Sequence, residues 1–188
     1  ALSAGQLSVF SNNRDGSFTP STIQLAKSLP SVRDFIVEDF TQDGRMDLAV
    51  LNVDGTIAFF ENSKDGFTFV DQGSDVVVSL RTLLAVDLDN DGDLDIVGAG
   101  TDGLHLFSYF RKRLGSGTKG DYSAPATCVL PADFDSDGDI DLWVNGDLLT
   151  NESDGRNWLG ISLEGLNSNK DGIGAKIEVK TTNRLQKR

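Results

Sequence analysis

The 188-residue chain contains one acidic nine-residue segment three times, at residues 39–47, 87–95 and 133–141. Their first residues are 48 and 46 positions apart, which is the spacing of a repeat built from one supersecondary unit. Glycine occupies the sixth position of every segment, and aspartate occupies the first, fifth and ninth. We call these segments the first, second and third acidic loops and number their residues from position 1 to position 9. A chain with this period is constrained to fold by stacking similar units.

Carboxylates at this density repel one another unless something compensates their charge. The second and third loops each carry five aspartates, one at every odd position, whereas the first loop carries three. A hard divalent cation removes the repulsion, and Ca²⁺ suits such a segment because it accepts about six to eight oxygen ligands in flexible geometry. Glycine at position 6 permits the sharp turn that wraps the ion. The sequence therefore predicts that two to three Ca²⁺ ions bind to these loops.

The predicted ligands are the residues at the odd positions, with position 7 contributing its backbone carbonyl oxygen. In chain order they are Asp39, Thr41, Asp43, Arg45, Asp47, Asp87, Asp89, Asp91, Asp93, Asp95, Asp133, Asp135, Asp137, Asp139 and Asp141. The first loop has Thr41 at position 3 and Arg45 at position 7. Because it has fewer carboxylates, we expect it to be the weakest of the three sites.

Two other interpretations of the loops fit less well. An EF-hand requires a glutamate at position 12 and a helix on each side. Position 12 is Val50, Gly98 and Val144 in the three repeats, and the flanking residues are typical of strands. Solvated Asp-Gly turns without an ion explain one such loop easily, but they do not explain three in register.

The acidity of the chain is confined to the loops. The formal net charge is −12, and the loops hold 13 of the 29 acidic residues. Without those 13 the chain would have 16 acidic against 17 basic residues, one of which, Arg45, lies in the first loop. The remaining sequence has no basic patch and no zinc-ligand spacing, so we expect no binding to nucleic acid. No apolar segment reaches the ~20 residues that a membrane-spanning helix needs, so we expect no membrane insertion.

Cysteine and histidine each occur once, which excludes an intrachain disulfide framework. Cys128 lies in an apolar run, where we predict a small buried side chain rather than a nucleophile. His105 lies in a strand-like run, and without a second histidine we predict neither a catalytic nor a zinc-binding role. Trp143 follows the third acidic loop in another apolar run, so we predict that it packs in the core.

Short apolar runs precede and follow every acidic loop. Such runs, when bounded by aspartate and glycine, are typical of strands buried on both faces. Turn signals at Asp54-Gly55 and Asp102-Gly103 separate them from further strand-like runs. The chain also has 20 glycines and few runs with helical periodicity. We therefore predict an all-β fold with about four antiparallel strands per period and an acidic loop in the first hairpin connection of each.

Four strands in ~40–50 residues, repeated along the chain, are typical of β-propeller blades, which are four-stranded antiparallel units. Residues 6–18 parallel residues 56–67, so the sequence begins partway through a blade and three fuller units follow. A closed propeller has about four to eight blades. We therefore predict an arc of a larger propeller, completed by further sequence or by a partner chain.

The pattern Asp-x-Asp-x-Asp-Gly-x-x-Asp, followed by small apolar residues, resembles the FG-GAP/VCBS repeat known from integrin α-subunit propellers and many secreted microbial proteins. The resemblance covers about residues 5–150 and is strongest in the second and third loops. Farther along, residues 157–165 and 168–175 resemble the opening of the ASPIC/UnbV domain. That domain follows such repeats in the cartilage acidic protein family.

The two resemblances divide the chain into two parts. Residues 1–150 form the FG-GAP/VCBS-like propeller repeats, and residues 151–188 form a last strand region and the N-terminal part of an ASPIC/UnbV-like domain. From the residues alone, 158–164 and 175–180 are predicted to be two strands joined by a glycine-rich turn.

The resemblance implies an extracellular, calcium-stabilised scaffold for cell adhesion, matrix contact or ligand capture. An extracellular or secreted location (periplasmic in a bacterium) agrees with calcium sites whose Kd is about 10⁻⁴–10⁻³ M, because resting cytosol does not fill them. We expect a non-catalytic protein whose partner is an extracellular protein or glycan. The alternatives are a propeller segment of a secreted carbohydrate-active enzyme or phospholipase, and a lectin. The chain has no Gly-x-Ser-x-Gly segment, and a lectin needs exposed aromatic residues, for which Trp158 is the open case.

Overall fold

The computed structural model describes residues 2–3, 5–25, 27, 29, 31–73, 76–110, 113–152, 158–166, 169–180 and 185–187. Within these ranges the chain forms 18 β-strands, β1 to β18, and no α-helix. Every strand pairing there is antiparallel. The predicted all-β class is therefore confirmed. None of the described segments is a helix of the length and hydropathy needed to cross a bilayer.

Four sheets follow one another along the chain, and the second has the four strands predicted for one period. The first sheet has three strands in the order β1 (Leu2–Ser3), β2 (Gln6–Asn12) and β3 (Phe18–Gln24). The second sheet has the order β4 (Val32–Glu38), β5 (Asp47–Asn52), β6 (Ile57–Ser63) and β7 (Gly66–Gln72). Strands that are neighbours in sequence are thus neighbours in the sheet, as in a propeller blade.

The third sheet also has four strands, but its last strand comes after a small hairpin. The order is β8 (Leu80–Val86), β9 (Asp95–Gly100), β10 (Gly103–Phe107) and β13 (Thr118–Lys119). Between β10 and β13 the chain forms a separate pair, β11 (Tyr109–Phe110) with β12 (Arg113–Leu114).

Three described strands make up the fourth sheet, and one strand pair lies near the C-terminus. The fourth sheet has the order β14 (Val129–Ala132), β15 (Asp141–Val144) and β16 (Asp147–Leu149). The C-terminal pair is β17 (Glu178–Lys180) with β18 (Leu185–Lys187). Residues 158–164 are not a strand, so the predicted pairing of 158–164 with 175–180 is wrong. The glycine-rich stretch near Gly172 instead folds on itself through short-range turn hydrogen bonds.

The acidic loops occupy equivalent places in three successive sheets. Each one joins the first strand of its sheet to the second: β4 to β5, β8 to β9, and β14 to β15. Position 9 of each loop is the first residue of that second strand. The loops are therefore anchored to the most buried strands, since β5 and β9 are buried along their whole length.

The hydrophobic core lies between the sheets. One cluster, which includes Leu51, Phe59, Leu80 and Ile96, is shared by the second and third sheets. A second cluster is shared by the third and fourth sheets, and a third packs the other face of the second sheet against Leu25 and Leu29. Successive side chains of a central strand point to opposite faces and enter different clusters. An unbroken apolar run therefore buries both faces of the strand.

Polar contacts also join the second sheet to the third. The Asp34 carboxylate accepts hydrogen bonds from the Thr82 hydroxyl at 2.7 Å and the Leu83 N–H at 2.9 Å. The Arg33 guanidinium donates to the carbonyl oxygens of Val53 at 3.2 Å and Val78 at 3.1 Å. Both β4 and β8 contain a bulge at this level. The two sheets are thus fixed in register by side chains as well as by apolar packing.

Two predictions about burial are wrong. Trp143 is 40 % exposed, because it points to the outer face of the fourth sheet, where no described sheet covers it. The equivalent residues of the earlier sheets, Ala49 and Val97, are fully buried against the sheet that follows each of them. Cys128 is exposed as well, since it precedes β14 instead of lying within it.

Candidate metal centre

All three acidic loops have the same backbone conformation. Position 4 has a positive φ in each loop: 56° at Gln42, 52° at Asn90 and 65° at Ser136. The glycine at position 6 also has a positive φ, between 84° and 96°. Two left-handed residues separated by one other residue curl the loop tightly, which only glycine allows without cost at position 6.

Carboxylates inside each loop hold this curl through backbone hydrogen bonds. The position-1 aspartate accepts the N–H of the position-6 glycine, and the position-5 aspartate accepts the N–H of position 7. The first contact measures 2.8 Å for Asp39–Gly44, 2.9 Å for Asp87–Gly92 and 3.1 Å for Asp133–Gly138. The second measures 2.8 Å for Asp43–Arg45, 2.8 Å for Asp91–Asp93 and 2.9 Å for Asp137–Asp139. Position 5 therefore serves as a turn-forming residue in all three loops.

The position-9 aspartates are buried, and each joins two parts of its sheet. Asp47 and Asp141 have no exposed surface, and Asp95 is 8 % exposed. One oxygen of each accepts an N–H from the start of its own loop, as Phe134 donates to Asp141 at 2.9 Å. The other oxygen accepts an N–H near the end of the following strand or just after it: Asn62 to Asp47 at 2.8 Å, Tyr109 to Asp95 at 3.2 Å and Asn151 to Asp141 at 2.8 Å.

Carboxylates from positions 1, 3 and 9 converge in two of the loops. In the second loop, oxygen atoms of Asp87, Asp89 and Asp95 all lie within 4.8 Å of one another. Asp133, Asp135 and Asp141 form the equivalent group in the third loop. Within the described residues these are the two groups of three acidic, histidine or cysteine side chains close enough to share an ion. The predicted ligands at position 5 are not part of either group.

Burial makes the ionised form of these carboxylates costly. It raises the pKa of Asp95 to about 6, and the nearby charges of Asp89 and Asp91 act in the same direction. Burial also raises the pKa of Asp47. A raised pKa means that the folded chain disfavours the negative charge at that position. A cation bound among these oxygens would offset that cost, so the donor set fits a hard divalent ion.

The first loop compensates its charge from within the chain. The Arg45 guanidinium forms an ion pair with the Asp43 carboxylate, and its Nε donates to the carbonyl oxygen of Asn62 at 2.8 Å. Thr41 supplies no carboxylate at position 3. A cavity of about 500 Å³ lies beside this loop, and its lining includes Asp39, Asp43 and Lys176. The first loop is therefore accompanied by the positively charged side chains of Arg45 and Lys176, and it does not bring three carboxylates together.

Trp158 lies directly on the third acidic loop. A Cβ atom built on Gly138 would come within 2.2 Å of the indole ring, so only glycine admits the ring at this distance. Sequence reasoning left Trp158 unassigned and did not identify this contact. The absence of a side chain at position 6 was the available signal, but nothing in the sequence indicated which residue would fill the space.

Side-chain amides connect the loops to one another, and sequence reasoning missed them. Position 4 of the first and second loops carries Gln42 and Asn90, and each amide donates to the loop that follows. Asn151 also donates to a carbonyl of the second loop, at Leu88, and to one of the third, at Ile140. For Gln42 and Asn90 the available signal was an amide side chain at position 4 of a tight turn, because such a side chain can donate to groups outside the turn.

The single histidine is engaged with a carboxylate outside the loops. Nε2 of His105 lies 3.2 Å from both carboxylate oxygens of Asp102, and His105 is buried on β10. The nearby Ser79 hydroxyl, which is the larger cause, and this contact with His105 both lower the pKa of Asp102. The pair holds the turn between β9 and β10.

Comparison with known proteins identifies a repeat in the N-terminal half. Residues 1–50 and residues 39–98 each match the family described as the FG-GAP-like repeat. Together the two matches cover residues 1–98, just over half of the 188 residues, and they include the first and second acidic loops. The third loop lies outside the matched residues but shares their backbone conformation. No curated protein sequence matches the chain.

Proposed function

Because this chain belongs to the FG-GAP-like repeat family, we propose that it is a non-catalytic β-propeller scaffold whose blades are stabilised by calcium. The observation that carries the proposal is the convergence of three carboxylates within 4.8 Å in each of two equivalent loops. Backbone hydrogen bonds of the folded sheets hold these carboxylates in place, so an ion that binds them stabilises the fold itself.

Calcium suits these groups better than other biological cations. Their side-chain donors are all carboxylate oxygens, whereas zinc and copper favour imidazole and thiolate ligands. Mg²⁺ demands tight octahedral geometry, while Ca²⁺ tolerates irregular sets of oxygen ligands. Positions 1, 3 and 9 would supply carboxylates, and position 7 would supply its carbonyl oxygen. The ion would neutralise charge at the entrance to a buried strand.

Several features support a binding role rather than a catalytic one. Each position-9 carboxylate already accepts two backbone hydrogen bonds, and the position-5 carboxylates hold turns. Groups held in this way are suited to binding an ion in the folded state. We propose an extracellular or secreted location, because millimolar calcium fills sites with Kd about 10⁻⁴–10⁻³ M. The partner proposed is an extracellular protein or glycan, bound in adhesion or ligand capture.

The outer face of the fourth sheet supports the proposal that the blades belong to a larger propeller. Leu130, Trp143 and Leu148 are paired side by side across β14, β15 and β16, and each is at least 40 % exposed. The same face of the two preceding sheets is covered by the next sheet. Another blade, from further sequence or from a partner chain, would cover this face in the same way. We also propose that residues 151–188 contain the N-terminal part of an ASPIC/UnbV-like domain, as in the cartilage acidic protein family, on the resemblance of residues 157–165 and 168–175.

The contact between Trp158 and Gly138 gives a direct test of binding at the third loop. The chain has two tryptophans, so Trp143→Phe leaves Trp158 as the only one. We expect Ca²⁺ to change the fluorescence of Trp158 saturably, and Mg²⁺ to do so weakly. Asp135→Asn should abolish the response, whereas the matched control Asp65→Asn, in an exposed turn outside the loops, should retain it. A response that survives Asp135→Asn would contradict the assigned site.

A further inference from the structure

The amide of Gln42 reaches from the first acidic loop into the second. Its Nε2 donates to the carbonyl oxygen of Gly92, at position 6 of the second loop. The same nitrogen lies 3.4 Å from the carboxylate of Asp93, at position 7. The two loops belong to successive sheets of the fold, so this contact crosses from one sheet to the next.

Asn90 makes the same contact one blade farther along. Its Nδ2 donates to the carbonyl oxygen of Gly138 at 3.1 Å and to the carboxylate of Asp139. Asn90 occupies position 4 of the second loop, as Gln42 does in the first, and both have a positive φ. Position 4 of one loop thus contacts positions 6 and 7 of the following loop in both successive pairs. The repetition shows that the contact belongs to the repeat and not to one accidental surface.

We propose that Gln42 and Asn90 are positioning residues: Asn90 couples the calcium site of the second loop to that of the third, and Gln42 positions the second loop from the first. This inference rests on the proposed calcium binding, since it concerns how those sites influence one another. Neither amide is a proposed ligand. Each fixes the peptide between positions 6 and 7 through its position-6 carbonyl oxygen, next to the position-7 residue whose own carbonyl is a proposed ligand. Each also donates to the position-7 carboxylate, which would otherwise repel its neighbours.

The physical basis of the coupling is the conformation of position 4. A non-glycine residue in the left-handed region is held there only by its surroundings, and an ion that orders the loop would stabilise it. Ordering the second loop therefore orders Asn90, and Asn90 then holds Gly138 and Asp139 in the binding conformation. Because coupling between two sites is reciprocal, an ion in the third loop favours the second loop equally.

Asn151 strengthens the connection between the second and third loops. Its Nδ2 donates to the carbonyl oxygen of Leu88 at 2.7 Å and to that of Ile140 at 3.2 Å. Its own N–H is donated to Asp141, one of the converging carboxylates of the third loop. The second and third loops are thus joined by two amides.

The first loop has a different part in this arrangement. Its Arg45–Asp43 ion pair supplies a positive charge to the loop without a metal. Gln42 is therefore held in place by the protein itself, and it positions the second loop whether or not an ion occupies the first.

The test is a double-mutant cycle read at the third loop by Trp158 fluorescence in the Trp143→Phe background. The second-loop site is removed by Asp89→Asn, and the connecting amide is removed by Asn90→Gly, which tolerates the positive φ at that position. With Asn90 present, we expect Asp89→Asn to weaken calcium binding at the third loop about threefold to tenfold, the factor that corresponds to one net hydrogen bond. With Asn90→Gly, we expect Asp89→Asn to have a clearly smaller effect, because only Asn151 still joins the two loops.

The matched control is Asn13→Gly, which removes a side-chain amide from an exposed turn of the first sheet, outside all three acidic loops. We expect it to leave the effect of Asp89→Asn on the third loop unchanged. An equal effect of Asp89→Asn with and without Asn90 would overturn the coupling, while calcium binding itself would stand. Absence of any calcium response in the parent protein would instead overturn the proposed function and the coupling with it.

The cycle also separates positioning from a merely structural role. An amide that only supports the fold behaves differently. Its loss would lower the melting temperature in chelator, and it would weaken calcium binding at the third loop by the same factor with Asp89 and with Asp89→Asn. Hydrogen exchange of the Gly138 and Asp139 amides provides a second readout. With calcium present, Asp89→Asn should speed their exchange when residue 90 is Asn and should speed it clearly less in Asn90→Gly. Equal acceleration in both backgrounds would contradict the proposal.

Discussion

Removal of calcium by a chelator is expected to lower the melting temperature of this protein by about 6–11 °C. An ion that binds only the folded state contributes about 1.4 kcal/mol at tenfold saturation, so two sites contribute about 2.8 kcal/mol. In chains of this length, each kcal/mol corresponds to about 2–4 °C. The reason lies in the second and third loops, where converging carboxylates lie at the entrance to strands β9 and β15.

Thermal melts with excess calcium and with excess chelator provide the measurement. Melts in Mg²⁺ at equal ionic strength are the control, because general screening also relieves repulsion between carboxylates. We expect Mg²⁺ to restore only a small part of the difference. Equal melting temperatures in calcium and in chelator would contradict the stabilising role.

The double variant Asp89→Asn and Asp135→Asn is expected to lose nearly all of this calcium-dependent stabilisation. The two aspartates occupy position 3, where each accepts one N–H within its loop: Asp91 donates to Asp89 at 3.0 Å, and Asp137 to Asp135 at 3.2 Å. Asparagine keeps a carbonyl oxygen that can accept these bonds, so the loop conformation should persist. What disappears is one carboxylate in each converging group.

The sign of the effect differs between the two conditions, which makes the variant informative. In chelator, we expect the variant to melt at or above the parent temperature, because one negative charge has been removed from each cluster. In calcium, we expect it to melt several degrees below the parent. The matched control Asp65→Asn and Asp147→Asn changes two exposed aspartates outside the loops and should respond to calcium as the parent does. If calcium raised the melting temperature of the Asp89→Asn and Asp135→Asn variant as much as that of the parent, the assigned sites would be wrong.

The local sequence was sufficient to predict the strands around the loops. The apolar runs at residues 48–51 and 96–99 became the buried strands β5 and β9 because such runs can be satisfied only between two packed layers. The loop conformation was predictable for a related reason. Glycine at position 6 and aspartate at positions 1 and 5 encode a turn through contacts within nine residues.

The features that sequence reasoning missed depend on neighbours that are distant in the chain. Trp143 has the same place in its strand as Val97, yet the exposure of the two residues differs because, among the described strands, a further sheet covers Val97 and none covers Trp143. The contacts of Gln42 and Asn90 join residues about 50 positions apart, and no local pattern specifies their partners. Position 5 was predicted to be a ligand from the spacing of the aspartates, and the sequence did not indicate that its carboxylate also accepts the position-7 N–H.

Calcium titration of the parent protein by calorimetry, with stoichiometry checked by equilibrium dialysis, tests the central claim most directly. We expect at least two ions per chain, bound in the second and third loops, and weaker binding at the first loop, because Arg45 is already paired with the Asp43 carboxylate. We expect Asp89→Asn and Asp135→Asn each to remove one of the two tighter ions, and Mg²⁺ to compete poorly. Failure to bind calcium at millimolar concentration, or tight binding lost through Asp43→Ala instead, would contradict the account.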